Sequence, residues 1–347
     1  MKKRDESLIS LINPSSNSTI MIYDVHASES GALAILNDLY CQIREYEDKS
    51  VKWVFIVSIP EYEETECISV RRFPWVKKNW GNRCYFDVVK ARRLLKEYQP
   101  DQVFSLQNRG ISFYHKRQLV YLHLPFVLTD HKFKIKTDGI KLWLYQNIVS
   151  KSIFKSLRTV DLTIVQTHWM KEALIKKAHV PNKRIVIQKP DITCNRIEKY
   201  VDCPENRKRF FYPATAFTYK NHITILKALM YAQDRGFHEY EMIFTIKLEE
   251  NKYTRWIGNY AQKHNLNVCF EGSIPRKKVF EMYAKSVLVF PSYVESFGLP
   301  LLEARMTGTP VIASDTTFCH EILDGYDKAV FFPEMDYETL GKILLQL

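Results

Sequence analysis

The sequence predicts an α/β protein of two domains, each a parallel sheet covered by helices. Three observations predict it. Apolar, β-type runs alternate with segments whose apolar residues recur at helical spacing. That alternation is interrupted by the polar stretch "KPDITCNRIEKYVDCPENRK" (189–208), which carries two prolines, as linkers often do. The chain has 347 residues, the length of two ordinary domains. We place the first domain at residues 1–195 and the second at 196–347.

In chain order, "TIMIYDV" reads as a strand. "GALAILNDLYCQIREYE" reads as a helix, with Leu33, Leu36, Leu39, Tyr40 and Ile43 at helical spacing. "VKWVFIVS" is a strand, "DVVKARRLLKEYQ" a helix closed by Pro100, and "QVFSL" a strand. "QLVYLHLPF" is a strand stopped at a proline. "LTIVQT" and "RIVIQKP" are strands flanking the helix "HWMKEALIKKAHV". The second half repeats the rhythm. The strands "RFFYPAT", "YEMIFTIK", "NVCFEG", "VLVFPS" and "PVIAS" are separated by helices at "HITILKALMYAQD", "TRWIGNYAQKHN", "RKKVFEMYAKS" and "LPLLEARMT".

Composition narrows the class. Hydrophobic residues make up 46% and charged residues 26%, which suits a folded protein. No apolar run approaches the roughly 20 residues that span a bilayer. The opening "MKKRDESLIS" has no long apolar core and reads as mature protein rather than a secretory signal. The seven cysteines are scattered and never spaced C-x-x-C, which argues against a disulfide framework or a zinc site and fits a reducing cytosol. Residues 1–200 hold 33 Lys and Arg against 21 Asp and Glu, whereas residues 201–347 hold 17 against 18. The whole basic excess therefore lies in the first part, which suggests that this part meets something anionic.

The stretch "VFPSYVESFGLPLLEARMTGTPVIASD" (289–315) carries the densest chemistry. It reads as strand, loop, helix and strand, with Pro300 suited to the first helical turn and Gly308 to the helix end. In parallel sheets ligands sit beyond the carboxyl ends of the strands, where the loop "SYVESFG" lies. A helix mouth offers free amides and partial positive charge, so a diphosphate fits against Phe297, Gly298 and Leu299. Glu303, expected in the first helical turn, has two oxygens for a vicinal diol such as a ribose. Glu295, in the loop, has two for another sugar. Two diol binders around a phosphate site suit a nucleotide-sugar.

With those residues in view, "ESFGLPLLE" resembles the E-x7-E motif of the large retaining glycosyltransferase family (family four) that uses the GT-B fold. That fold comprises two Rossmann-like domains with parallel sheets facing across a cleft. The resemblance covers most of the chain and is strongest over residues 205–325. It implies that Glu295 is placed at the donor sugar and Glu303 at the ribose. "FYPATAFTYKNHITILKAL" resembles the entry loop of the donor domain, which implies that Lys220 contacts the diphosphate and stabilises its growing charge as it leaves. Many relatives carry an arginine just upstream of that lysine. None stands in "YPATAFTY", and Lys247 is a candidate to replace it. "VYLHLPF" implies that His123 contacts the donor sugar near the reacting centre, and "VHASESGALAIL" that Gly31 lets the backbone approach the donor phosphate. "HEIL" places Glu321 where relatives often have a glutamate near the site.

Two stretches, 71–86 and 131–158, mix cations with aromatic and apolar residues. In the second, Ile140, Trp143, Leu144 and Ile148 fall on one helical face flanked by lysines. Such stretches dock to anionic membrane surfaces, and no motif supports nucleic-acid binding. The expected function is transfer of a sugar from a UDP- or GDP-linked donor to a glycan or polyprenyl-diphosphate-linked acceptor, in bacterial surface polysaccharide synthesis. The expected location is the cytoplasm, at the inner face of the membrane. The nucleotide-sugar is a co-substrate. No cofactor is expected and, with no Asp-x-Asp pair in the chain, no metal. Two rivals stay open: a sugar-nucleotide epimerase of GT-B-like fold, and a non-catalytic membrane-associated scaffold.

Overall fold

The computed structural model describes residues 7–27, 30–190 and 197–347. Two sheets carry the fold. The first has seven strands in the order β3-β2-β1-β4-β5-β6-β7, and the second has six in the order β10-β9-β8-β11-β12-β13. In the first, β1 is Thr19–Asp24, β2 Lys52–Val57, β3 Ile68–Arg72, β4 Gln102–Ser105, β5 Arg117–Tyr121, β6 Leu162–Val165 and β7 Ile185–Ile187. In the second, β8 is Arg209–Tyr212, β9 Glu241–Phe244, β10 Val268–Phe270, β11 Val287–Phe290, β12 Val311–Ser314 and β13 Ala329–Phe332. All adjacent strands pair in parallel.

Both sheets are wound alike. The chain begins in the middle, steps outward over two strands, then returns to the other side of the first. The reversal falls between β1 and β4 in one sheet and between β8 and β11 in the other. A crevice opens at such a reversal because the helices that follow the two strands lie on opposite faces. The central strands read as unbroken apolar runs because helices cover both of their faces. All four residues of β11 are buried, as are Phe210, Phe211 and Tyr212 in β8. Each large apolar side chain so buried contributes about 1.5–3 kcal/mol.

The described residues of 1–130 and 144–190 form one compact unit, and those of 131–143 and 191–347 form the other. This corrects the expected assignment of 131–143 to the first domain. The 131–158 stretch is also not a single helix. Gly139, at φ 83°, separates Ile135–Asp138 from Ile140–Leu144, and helical turns then run on to Leu157. Ile140 and Ile148 are exposed, at 61% and 55%. Among the described residues no helix is long and apolar enough to cross a membrane.

Candidate functional site

In the second unit the reversal point is built from the ends of β8 and β11. Tyr212, the last residue of β8, is fully buried. Its hydroxyl donates to the Lys220 carbonyl at 2.8 Å and shares a hydrogen bond of 2.7 Å with Ser292 Oγ beyond β11. Asn221 takes a left-handed conformation, at φ 59°, and its side-chain amide donates to the Pro291 carbonyl at 3.2 Å. The Tyr293 amide donates to the Tyr219 carbonyl at 3.3 Å. The Thr218–Lys220 turn and the 291–295 loop are thereby stitched together. Lys220 Nζ meets Glu295 Oε1 in an ion pair whose side chains are only 16% and 13% exposed. Two candidates 75 residues apart in sequence thus share one spot.

The Leu299–Thr307 helix opens four residues after Glu295. Gly298 precedes it at φ 90°, where a Cβ would stand 3.1 Å from Leu301 Cδ1. Only glycine takes that conformation without strain. Pro300, which has no N–H, lies in the first turn, no side chain caps the helix, and the Leu301 amide donates to the Gly298 carbonyl at 2.9 Å. Phe297, just before Gly298, is buried. Gly308 ends the helix in a left-handed conformation, its N–H bonded to the carbonyls of Ala304 and Arg305.

Glu303 departs from expectation. The helix begins at Leu299, so Glu303 is its fifth residue and falls in the second turn, not the first. Its partners lie on another helix, Arg276–Tyr283. Arg276 Nη2 stands 2.7 Å from Glu303 Oε1, and the Tyr283 hydroxyl donates to Oε2 at 3.1 Å. Burial pushes the Glu303 carboxyl above its ordinary range, opposed by the Arg276 charge and the Tyr283 hydrogen bond.

The first unit holds His123 and Gly31. His123 follows β5. Its backbone N–H donates to Asn108 Oδ1 at 2.8 Å, and its Nε2 lies 3.5 Å from Asn108 Nδ2. Burial lowers its pKa to about 4, so the ring is neutral at pH 7. Gly31 lies in the first turn of the Ser30–Arg44 helix, and its surroundings fall outside the described residues. Near the β1–β4 reversal, Asp24 Oδ1 accepts from the amides of His26 and Ala27 at 3.0 and 2.9 Å. Arg83 Nε donates to Asp87 at 3.0 Å, and its Nη2 meets Gln107 Oε1. Four polar atoms here are buried without a hydrogen-bond partner among the described residues: Asp24 Oδ2, Arg83 Nη1, Gln107 Nε2 and His123 Nδ1.

Two further candidates, Lys247 and Glu321, belong to the second unit. The Lys247 stem packs on Gly272, where a Cβ would meet its Cγ at 3.0 Å. Glu321 is half-buried in the Thr317–Leu323 helix. Sequence reasoning missed Arg276 and Tyr283, because nothing local marks a residue that serves a carboxylate 20 or more positions away. It also missed that the 131–143 segment packs on the site loops. The His131 ring centroid is 4.6 Å from that of Tyr293, and the Ile135–Asp138 turn rests on Thr218–Lys220.

Comparison with known proteins places both halves. Residues 195–347 match the family model described as Glycosyl transferases group 1, and residues 53–190 match that of Glycosyltransferase Family 4. The chain is 23% identical over 224 residues to O-antigen chain mannosyltransferase RfbU of Salmonella typhimurium, covering 61% of this chain and 60% of that protein. It is 31% identical over 80 residues to O-antigen chain mannosyltransferase B of Escherichia coli, covering 23% and 20%. These matches therefore span less than two thirds of either relative. Among solved structures, Anabaena HepE in complex with UDP-glucose aligns with a TM-score of 0.68 at 14% identity, over 95% of this chain and 89% of that one. WaaG, a glycosyltransferase involved in lipopolysaccharide biosynthesis, aligns at 0.67 and 15% identity, over 94% and 90%. The fold is GT-B: two parallel-sheet α/β domains, of seven and six strands.

Proposed function

The chain belongs to the GT-B glycosyltransferases, and from that premise we propose that it moves a sugar from a nucleotide-diphospho-sugar to a glycan or lipid-linked glycan acceptor with retained anomeric configuration. The observation that carries this reading is the Lys220–Glu295 pair, held beside the uncapped mouth of the Leu299–Thr307 helix at the reversal point of the second sheet. A leaving diphosphate needs positive charge in a site poor in water. Lys220 supplies a full charge and the helix amides supply partial ones. Glu295, freed when Lys220 turns to phosphate, is then available to sugar hydroxyls, and Glu303 to the ribose. His123, neutral at pH 7, would serve the donor sugar as a hydrogen-bonding group rather than a cation. Because protein groups furnish the charge, transfer is expected to persist in a chelator.

The similar proteins, an O-antigen chain mannosyltransferase and a glycosyltransferase involved in lipopolysaccharide biosynthesis, support O-antigen or lipopolysaccharide synthesis as the setting. The exposed Ile140 and Ile148, with lysines near them in sequence, support attachment to an anionic membrane face. A thermal-shift screen against UDP- and GDP-linked hexoses tests the reading, followed by NMR of the anomeric proton in the product. Stabilisation by at least one nucleotide-sugar and a product of unchanged anomeric configuration are expected. No response to any of them, or an epimer formed without acceptor, would overturn it.

A further inference from the structure

We infer that Arg276 is a placeholder in the ribose subsite, holding the Glu303 oxygen that a ribose diol takes over, so that a ribonucleotide engages this oxygen only by displacing Arg276 while Tyr283 stays in place. The inference rests on the nucleotide-sugar reading above and names the residue that a ribose displaces within that site.

Glu303 has two partners, and they differ in freedom. The Glu303 side chain is 8% exposed, whereas that of Arg276 is 51% exposed. Tyr283 is fully buried, with the rings of Phe211 and Phe280 at 5.5 and 6.0 Å. Tyr283 therefore has nowhere to go, and its hydroxyl keeps Oε2 in place. Arg276 is the first residue of its helix and reaches Oε1 from the solvent side. Its guanidinium also lies 5.6 Å from the Phe280 ring centroid, a contact it can keep after letting go of the carboxylate.

The energies favour exchange. Arg276 can let go because half of its side chain is exposed, so that water takes over the solvation of the guanidinium. A buried carboxylate that loses a partner is costly, so Oε1 will accept whatever donor enters next. Ribose hydroxyls are such donors. A dideoxyribose has none at those positions and cannot displace the guanidinium. Arg276 is thus a positioning residue that competes with ribose hydroxyls for Oε1 and leaves the binding of a dideoxyribose unaffected.

Calorimetry on the full chain with UDP, GDP and their 2′,3′-dideoxy forms tests this. Arg276→Ala is expected to tighten binding of the ribonucleotide roughly three- to fivefold, and to leave the dideoxy form unchanged. Equal weakening of both forms would mean that the guanidinium contacts the nucleotide directly, and would overturn the inference. No change for either form would put Arg276 outside the subsite and also overturn it. A wild-type chain that binds neither nucleotide would remove the underlying reading as well, whereas binding with a flat Arg276→Ala response would remove this inference alone.

Discussion

The two sheets share one winding, yet their reversal points are finished differently. In the second unit, charges come in pairs: Lys220 with Glu295, and Arg276 with Glu303. In the first unit one buried pair, Arg83 with Asp87, stands with four polar atoms, one each on Asp24, Arg83, Gln107 and His123, that are buried without a hydrogen-bond partner among the described residues. Burial drives Asp24 up to about 6 and His123 down to about 4, both toward neutrality. Winding decides where a crevice lies, and the side chains decide its charge. A paired crevice can trade its partners for those of an ionic ligand. A crevice that keeps buried donors and acceptors without partners offers them to a ligand with nothing to displace.

The sharpest way to break this contrast is to remove a charge from the second unit. Lys220→Ala is expected to lower kcat by about 10²–10³, the usual loss when a group stabilising transition-state charge is removed. A change under tenfold would mean that Lys220 does not serve the leaving group. In the first unit, Asp24→Asn tests whether burial really opposes charge. The folded carboxyl titrates at about 6 against a reference of 3.8, so the unfolded chain ionises first as pH rises. Asp24 therefore costs stability that appears between pH 4 and 6 and stands in full above, on the order of 3 kcal/mol. The asparagine variant retains an oxygen for the His26 and Ala27 amides. Urea denaturation should show it more stable than wild type at pH 8 and level at pH 4. A less stable variant at pH 8 would mean that Lys77 and Arg83 outweigh burial. Glu303→Ala should weaken nucleotide binding about ten- to a hundredfold, since it removes a charged acceptor. Tyr283→Phe, which only loosens Glu303, should cost a few-fold. Reversal of that order, measured by calorimetry, would make Tyr283 rather than Glu303 the nucleotide contact.

Most strands were legible because central parallel strands are buried on both faces and read as continuous apolar runs. The two strands that went unread, β3 and β13, are edge strands. β3 is "ISVRR", with its two arginines exposed, and β13 "AVFF" has an exposed Val330. An edge strand meets solvent, so its pattern is diluted. Pro300 and Gly308 were legible because each has a backbone reason for its place. The turn that holds Glu303 was misjudged by a residue or two, the usual uncertainty at helix starts. The partners of Glu303, by contrast, left no mark, since tertiary contacts 20 and 27 positions away have no local pattern.

The packing of 131–143 on the Lys220 turn has a practical corollary for anyone recombining such enzymes. A chimaera cut only near residue 190 would import a foreign stretch against Tyr293 and Thr218–Lys220. Faithful grafting of the second unit has to carry those thirteen residues along, spliced into the recipient's other half.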